Sequence, residues 1–262
     1  AGDYATVNQR IVSDGRGGVY ITWTDVRSGV GDVYGQRVTP NGTRVWDENG
    51  RYICRAEGDQ YDPLTASDGA GGFVVVWTNI VDGQFRVAAQ RVSPAGVRLW
   101  REDGVRACLA QSVQGSPAVV GSLDGSAFVF WVDYRHDDGS YSALDVYGQL
   151  LTPDGRRGWG PGGIPLCAAD GSQRNVVAVS DGEGGAYVAW VDTRDTFDDI
   201  YVQRVDADGS LLWGEDGRPV GVGPGVQRGP ALSVRDGHLW VAWHDYRRES
   251  RSQTLQDIYV QS

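Results

Sequence analysis

Five apolar runs, each ending in a tryptophan, recur along the chain as VYITW, FVVVW, AFVFW, AYVAW and LWVAW. Runs such as FVVVW are apolar at consecutive positions instead of alternate ones, so both faces of the predicted strand must be buried. Turn sequences rich in glycine and aspartate, such as SDGRGG and SDGAGG, precede the runs and are typical of tight turns between antiparallel strands. The pattern therefore predicts an all-β protein whose strands are covered on both sides.

The apolar runs belong to a longer repeat that covers the chain. Each copy is predicted to contain four short strands: one after an opening glutamine, one ending at the tryptophan, one through a segment like DVYGQRV, and one near a segment like RYICRA. The tryptophans are Trp23, Trp77, Trp131, Trp190 and Trp243, separated by 54, 54, 59 and 53 residues. The copies open near residues 9, 60, 114, 173 and 227, at Gln9, Gln60, Gln114, Gln173 and Gln227.

The burial pattern selects one architecture. A two-layer sandwich leaves one face of an antiparallel strand wet, whereas neighbouring blades of a propeller cover both faces. The sequence therefore predicts a five-bladed β-propeller, formed as a single domain by residues 1 to 262. The fifth copy stops after its third strand, and we expect the N-terminal segment AGDYATVN, residues 1 to 8, to supply the outer strand of the last blade and close the ring.

Charge and hydropathy exclude two classes of partner. The chain carries a formal net charge of −10, and its 24 basic residues are all arginines. A negative protein repels phosphate backbones, so nucleic acid is not an expected partner. No apolar run approaches the roughly 20 residues that cross a bilayer, so membrane insertion is not expected either.

The three cysteines occupy matching positions in three copies, as Cys54, Cys108 and Cys167. Matching positions on different blades are too far apart for a disulfide, so we expect free thiols that pack as small apolar side chains. No two cysteines or histidines show a short metal-ligand spacing. The sequence predicts neither a metal site nor a cofactor.

A polar pattern, W-x-D-x-R followed by D-x-Y-x-Q, follows four of the five apolar runs. An active site is normally assembled once per propeller, so a constellation present four times is predicted to be structural. Each arginine is expected to form a bidentate pair with the first or the second acid and to clamp the loop between two strands. The predicted clamps are Asp25, Arg27 and Asp32; Asp133, Arg135 and Asp145; Asp192, Arg194 and Asp199; and Asp245, Arg247 and Asp257.

The second copy provides a control within the chain. Its tryptophan, Trp77, is kept, but the polar places become Asn79, Val81, Arg86 and Ala88. Joint loss is expected if acid and arginine are partners, because losing one alone would leave a partly buried charge at a cost of a few kcal/mol.

Two copies differ from the others in the length of this loop, and binding sites are usually found in the loops that differ. The interval from tryptophan to glutamine is 13 residues in copies one, two and four, and 18 in copies three and five. The alternative is that both insertions are merely tolerated extensions. The candidate ligand-binding residues are Tyr134, His136, Asp137, Asp138 and Tyr141 in one loop, and Tyr246, Arg247, Arg248 and Arg251 in the other.

The segments SDGAGGFVVVWTN, WVDTRDTFDDIYVQRVDADGSLLW and DVYGQRVTPNGTRVW resemble a repeat common in large secreted or surface proteins of bacteria. The resemblance covers essentially the whole chain. It implies an extracellular propeller-like scaffold, at the cell surface or in the periplasm, and assigns no chemistry to particular residues.

These observations favour a non-enzymatic binding or assembly scaffold whose partner is a glycan or a protein, including a further copy of itself. One alternative is a structural subunit of a surface filament or of a larger multidomain protein. Another is a five-bladed glycoside hydrolase or lyase. Such hydrolases need two or three unique carboxylates at the axis, and the predicted first strands are poor in acids, with Asp62 as the exception.

Overall fold

The computed structural model describes residues 6–247 and 257–262, and every regular element in these residues is a β-strand. None of the described residues forms a helix long and apolar enough to cross a membrane. Sheet one contains β1 (Thr6–Ser13), β2 (Val19–Asp25), β3 (Asp32–Val38) and β4 (Arg51–Cys54); sheet two contains β5 (Asp59–Ser67), β6 (Phe73–Val81), β7 (Gln84–Val92) and β8 (Val105–Arg106). Sheet three contains β9 (Gln114–Gly121), β10 (Ala127–Asp133), β11 (Asp145–Leu151) and β12 (Ile164–Cys167). Sheet four contains β13 (Gln173–Ser180), β14 (Ala186–Asp192), β15 (Asp199–Val205) and β16 (Arg218–Gly221), and sheet five contains β17 (Gln227–Arg235), β18 (His238–Asp245) and β19 (Asp257–Gln261).

Within each sheet the strands lie side by side in their order along the chain. Short turns between consecutive strands make this order natural, because hairpins join antiparallel neighbours. The chain divides into two compact units: the residues up to Val129 with Gln149–Gly162, and Phe130–Gly148 with the residues from Gly163 onwards. Sheets one and two lie wholly in the first unit, and sheets four and five lie wholly in the second.

Burial of the second strands agrees with the sequence pattern in the middle of the chain. Every residue of β10 and of β14 is buried, and so are the first six residues of β6. The prediction fails for β2 and β18, which are less completely buried. The reason is that sheets one and five each expose one face to solvent, where Ile11 is 66% exposed and Ile258 is 63% exposed.

The strand register corrects the start of the first copy. Gln60, Gln173 and Gln227 pair with the residue two places after the repeat tryptophan. In sheet one that partner, Asp25, pairs with Thr6, so the first copy begins at Thr6 and not near Gln9. Residues 6–8 therefore belong to β1, and the rest of the predicted closing segment, residues 1–5, lies outside the described residues.

The first strand of every sheet contains a residue with positive φ, two places after its opening position. These residues are Asn8, Asp62, Ser116, Asn175 and Gly229, with φ between 48° and 62°. In sheets one, two, four and five the strand register shifts at this point, which is the mark of a β-bulge. Asparagine, aspartate and glycine tolerate this left-handed conformation best.

The three thiols are free and buried. Burial raises the pKa of Cys54 to about 12, and it also raises the pKa of Cys167. The Cys54 Sγ donates to the carbonyl of Asp103 at 3.5 Å, and the Cys108 Sγ donates to the carbonyl of Gly162 at 3.4 Å. The thiols thus fill small spaces between strands.

Each of the first two copies has a second tryptophan after its third strand, Trp46 or Trp100, and both rings are buried. Trp46 and Trp100 are each 8% exposed. Trp46 stacks near Tyr20 and Phe73, and the Trp100 Nε1 donates to the carbonyl of Pro153 at 3.0 Å. These rings fill space between sheets.

Candidate functional site

The loop that follows the second strand has the same polar core in four sheets. In sheet four, the Arg194 Nε donates to Asp192 Oδ1 at 3.0 Å, and a terminal nitrogen donates to Asp192 Oδ2 at 2.7 Å. The Trp190 Nε1 donates to the same carboxylate at 2.8 Å, and the guanidinium lies 4.0 Å from the centroid of Tyr201. The equivalent sets are Trp23, Asp25, Arg27 and Tyr34; Trp131, Asp133, Arg135 and Tyr147; and Trp243, Asp245, Arg247 and Tyr259.

The sequence left the choice between the two acids open, and in all four sheets the arginine forms the bidentate pair with the first acid. The first acids are fully or almost fully buried. Burial alone would raise the pKa of Asp245, but the hydrogen bonds from Arg247 and Trp243 lower it to about 2. The hydrogen bonds from Arg27 and Trp23 likewise lower the pKa of Asp25. Both carboxylates are therefore held ionised by their partners, which suits a structural anchor and not a proton donor.

The second acid has a different environment in sheets one, three and four. Asp32 accepts a hydrogen bond from Ser28 Oγ at 2.7 Å and lies 3.9 Å from Arg55. Asp145 contacts His136, and Asp199 has no equivalent histidine in its own loop. Because the position is repeated while its partners change, it is where the sheets acquire individual chemistry.

The inserted loop of sheet three brings most of its predicted residues together. The rings of Tyr134 and Tyr141 make an edge-to-face contact with centroids 5.9 Å apart. Asp137 accepts hydrogen bonds from the backbone of Gly139 and Ser142. Asp138 accepts one from the backbone of Ser140 at 3.0 Å. The two acids therefore stabilise the loop itself.

His136 and Asp145 are in direct contact at the base of this loop. The His136 Nδ1 lies 2.7 Å from Asp145 Oδ2, and the side chains are 58% and 4% exposed respectively. Burial raises the pKa of Asp145, although the hydrogen bond to His136 opposes the rise. An exposed imidazole held by a buried carboxylate is an arrangement suited to proton transfer, because the carboxylate fixes the ring and leaves Nε2 available to a substrate.

Backbone contacts fix this loop against the first strand of sheet four. The Gln173 N donates to the carbonyl of Leu144 at 2.6 Å, and the Ser172 Oγ donates to the carbonyl of Tyr141 at 2.6 Å. The position of His136 therefore depends on a neighbouring strand as well as on its own loop.

The inserted loop of sheet five is described only in part. The Tyr246 N donates to the carbonyl of Val226 at 2.9 Å. Arg247, which was both a candidate ligand-binding residue and a predicted clamp, is bound to Asp245 and lies 4.2 Å from the centroid of Tyr259. Arg248 and Arg251 lie outside the described residues.

A charged cluster beside sheet four was not found from the sequence. Asp198 accepts hydrogen bonds from Arg174 at 2.8 Å and from Arg228 at 2.6 Å. The next residue, Asp199, has its pKa raised to about 6, first by burial and then by the charges of Asp195 and neighbouring acids. The only signal in the sequence was the doubled acid in TFDDIY, which interrupts the repeat.

A second set of acid–arginine pairs was also missed. The turn aspartates Asp14, Asp68 and Asp181 bind arginines from the third strands at 2.8, 2.9 and 2.7 Å; these arginines are Arg37, Arg91 and Arg204. In sheet three both positions change together, to Ser122 and Leu150. The turn aspartates therefore bind backbone N–H groups and arginines.

Within residues 6–247 and 257–262, no group of three or more His, Cys, Asp or Glu side chains is arranged to hold a metal ion.

Comparison with known proteins places the fold. No protein-family model matches the chain, and no curated protein matches it. Among solved structures, the chain is similar to an endo-arabinase from Bacteroides thetaiotaomicron, with 11% identity, a TM-score of 0.51, and coverage of 97% of this chain and 92% of the other. It is also similar to an α-L-arabinanase from Penicillium chrysogenum complexed with arabinobiose, with 14% identity, a TM-score of 0.53, and coverage of 98% and 79%.

The polysaccharide lyase Uly1 gives a TM-score of 0.61 at 8% identity, and the match covers 97% of this chain and 57% of the lyase. The chain thus spans little more than half the length of that lyase. Together with the five antiparallel sheets, these similarities decide the architecture. The chain is a five-bladed β-propeller. The predicted fold class is confirmed, and sheets one to five are its blades one to five.

The comparisons overturn the preferred function. The sequence favoured a non-enzymatic scaffold, yet the propellers that this chain resembles are arabinan-cleaving enzymes and a polysaccharide lyase. Repetition of the clamps does not exclude a site that occurs once. The second acids of blades one, three and four occupy repeated positions but have different partners.

Proposed function

We propose that the chain is a glycan-cleaving enzyme, and that its His136–Asp145 pair transfers the proton in an elimination reaction on an acidic polysaccharide. The observation that carries the proposal is the 2.7 Å contact between an exposed imidazole and a buried carboxylate. The resemblance to a polysaccharide lyase and to arabinan-cleaving enzymes supports a glycan as the substrate.

Elimination suits this pair better than hydrolysis does. Hydrolases place two carboxyl groups on either side of the glycosidic bond. Asp145 is buried behind His136, with a side chain only 4% exposed, so it is poorly placed to approach a sugar carbon directly. A histidine base, by contrast, can remove a proton from the carbon next to a uronate carboxylate.

The reaction needs no other reactant. His136, held through Nδ1, accepts the proton at Nε2, and the electron pair of the broken C–H bond forms a carbon–carbon double bond. The bond between the adjacent carbon and the glycosidic oxygen breaks, and that oxygen takes up a proton. Tyr134 is the candidate donor in the same loop, because burial and the nearby Tyr141 and Asp137 raise the pKa of its phenol and keep it protonated.

The test uses the full chain with polygalacturonate, alginate, hyaluronan and neutral arabinan. Elimination leaves an unsaturated uronate that absorbs in the ultraviolet, whereas hydrolysis releases reducing ends without this absorbance. We expect ultraviolet-absorbing products from an acidic polysaccharide, with kcat reduced about 10²-fold or more in His136→Asn, which keeps a donor toward Asp145 but cannot accept the proton. Asp208→Asn, an exposed turn variant, is the control. Absence of unsaturated products from every acidic polysaccharide would overturn the proposal.

Hydrolysis is the second candidate, and one observation favours it. Asp62 is the only carboxylate among the five left-handed bulge residues of the first strands, and it is exposed. Reducing ends that appear without ultraviolet absorbance, and disappear in Asp62→Asn, would establish this reaction in place of elimination. Asparagine already occupies the same bulge position as Asn8 and Asn175, so this substitution fits the backbone.

The proposal includes the location of the protein, which we infer from the repeat sequence. Segments such as SDGAGGFVVVWTN resemble repeats of secreted and surface proteins of bacteria. Enzymes that degrade polysaccharides must meet polymers that do not enter the cell. We therefore expect the chain to act outside the cell or in the periplasm.

A further inference from the structure

A cleft of about 690 Å³ lies between β8 of blade two and the turn that follows β11 of blade three. The Trp100 Nε1 donates to the carbonyl of Pro153 at 3.0 Å, and the Leu109 N donates to the carbonyl of Pro161 at 2.8 Å. Both walls belong to the first compact unit, and these bonds fix one wall against the other. The volume is in the range of small-molecule sites, which is about 300–1,000 Å³.

Four arginines line this cleft, namely Arg101, Arg106, Arg156 and Arg157. Asp154 is the one acid among the lining residues, and its Oδ2 lies 3.1 Å from the Arg156 Nε. Within residues 6–247 and 257–262, no carboxylate forms a salt bridge with the other three arginines. The cleft therefore contains three guanidinium groups without a bound carboxylate.

Two of these guanidinium groups are fixed by backbone carbonyls. The Arg157 Nε donates to the carbonyl of Arg106 at 3.0 Å, and a terminal nitrogen of Arg106 donates to the carbonyl of Ala110 at 3.2 Å. Both arginines are partly buried. Burial lowers the pKa of Arg157, and the charges of Arg106 and Arg101 lower it further. Like charges are thus held near one another, and an anion bound between them would relieve their repulsion.

The equivalent cleft between blades one and two provides a comparison within the chain. It has a volume of about 520 Å³, and four arginines line it as well. Each of these arginines has a nitrogen no more than 3.9 Å from a carboxylate oxygen. The pairs are Arg27 with Asp25, Arg51 with Asp47, Arg55 with Asp32, and Arg98 with Glu102. Arginines in this first cleft therefore have partners within the protein.

Two of those acids are replaced in the cleft between blades two and three. Asp47 and Arg101 each come directly after the second tryptophan of their copy, so an arginine stands where the first cleft has an acid. Glu102 and Pro161 each follow that tryptophan by two residues, so a second acid is lost as well. In a chain with a net charge of −10, this cleft is an exception that favours an anionic ligand.

We propose that the cleft between blades two and three binds a phosphate group, either of a small phosphate monoester or of free phosphate. Guanidinium groups bind phosphate through paired hydrogen bonds. A phosphate monoester carries a charge of about −1.5 to −2 at pH 7, so it neutralises more of the three guanidinium groups than a single carboxylate does. In a monoester, the rest of the molecule would lie against Val105, Leu109 and Pro161, which also line the cleft.

The test is calorimetric titration of the full chain with glucose 6-phosphate, inorganic phosphate and glucose, in a buffer free of phosphate. We expect glucose 6-phosphate to bind and glucose not to bind. Tighter binding of the ester than of inorganic phosphate would identify a monoester as the ligand, whereas equal binding would identify the free ion. Binding should weaken as the salt concentration rises, because salt screens the charges of the guanidinium groups.

Variants place the binding in this cleft. Arg157→Gln should weaken it about tenfold, the effect of one lost charge-assisted hydrogen bond. Arg101→Asp, at an exposed position, introduces the acid of the first cleft and should abolish binding even if Arg157→Gln does not fold. Arg51→Gln, in the first cleft, is the matched control and should leave binding unchanged.

The site uses no residue of the inserted loop of blade three, so its failure and that of the proposed reaction are distinguishable. His136→Asn should bind glucose 6-phosphate normally. The proposal would be overturned if neither phosphate compound binds, if glucose binds as tightly as glucose 6-phosphate, or if Arg101→Asp binds as tightly as the unchanged protein. Equal weakening by Arg51→Gln and Arg157→Gln would also overturn it, because binding would then reflect arginine content and not this cleft.

Discussion

Arg194 donates two nearly parallel hydrogen bonds to Asp192, at 3.0 and 2.7 Å, and the acid is almost completely buried. The same carboxylate accepts the indole N–H of Trp190 at 2.8 Å. One aspartate thus supports a loop and a core side chain at once. Its removal would take the acceptor from the Trp190 indole N–H, the Arg194 backbone N–H and two guanidinium nitrogens, which is costly in a low-dielectric interior.

We therefore expect Asp192→Ala to lower the free energy of unfolding by about 3–5 kcal/mol. The double change Asp192→Asn and Arg194→Val copies the residues of blade two, Asn79 and Val81. It should cost less than the sum of Asp192→Asn and Arg194→Val alone, because it leaves no unpaired charge. Urea unfolding of the four proteins gives the coupling energy, and single effects that add within about 0.5 kcal/mol would contradict a cooperative clamp.

A glycine lies under each repeat tryptophan in blades one to four, and we expect it to be irreplaceable. At Gly217, φ is +74° and an added Cβ would lie 2.6 Å from the Trp190 ring and 2.7 Å from the carbonyl of Val202. At Gly214, φ is +86° but nothing lies within 4 Å of the added Cβ. Gly214→Ala should therefore cost about 1 kcal/mol for the left-handed backbone alone, whereas Gly217→Ala should cost about 2–4 kcal/mol because of the added collision. Thermal unfolding of the pair separates strain from collision, and equal losses would contradict this account.

The sequence predicted the parts of this molecule that repeat. Five apolar runs ending in tryptophan were enough to predict five sheets. In FVVVW and AFVFW every position is apolar, which indicates a strand that is buried on both faces. The pairing of Arg194 with Asp192 instead of Asp199 could not be predicted, since both acids are close in sequence and only the strand register separates them. The turn pair of Asp181 and Arg204 was missed because its members lie 23 residues apart and meet only after the strands align.

The candidate reactive groups were harder to identify for a physical reason. The role proposed for His136 depends on its contact with a buried carboxylate nine residues away, and burial cannot be seen in a loop sequence.

The buried cysteines provide a simple measure of native packing. Burial raises the pKa of Cys54 to about 12, so at pH 8 almost none of its thiol is ionised. The thiolate is the reactive form, and we expect Cys54, Cys108 and Cys167 to resist Ellman's reagent in the native protein. All three should react after unfolding in urea. Rapid reaction of a native thiol would contradict the packing described, and Cys54→Ala would identify whether that thiol is Cys54.

Asp199 should make stability depend on pH in a direction opposite to that of Asp25 and Asp245, whose pKa values are lowered. Its pKa is about 6 in the folded protein against an ordinary value of 3.8, because burial and nearby acids disfavour the charged form. The folded state therefore binds this proton more tightly than the unfolded state, so the stability that it contributes is present below pH 3.8 and is lost as the pH rises to about 6. At pH 7 the ionised group costs roughly 1–3 kcal/mol.

Asp199→Asn removes this cost, and we expect it to raise the melting temperature at pH 7 and to have little effect at pH 4. Asparagine keeps an oxygen that can accept from the Gln227 side chain. With the Gln227 amide oriented so that its nitrogen faces these acceptors, it donates to Asp199 Oδ1 at 2.7 Å and to the carbonyl of Asp198 at 3.0 Å. Asp208→Asn, at an exposed turn, is the control and should change little at either pH. A stabilisation that persists unchanged at pH 4 would show that packing, and not charge, is responsible, whereas a loss of stability at pH 7 would mean that the ionised carboxylate is itself a favourable partner of Gln227.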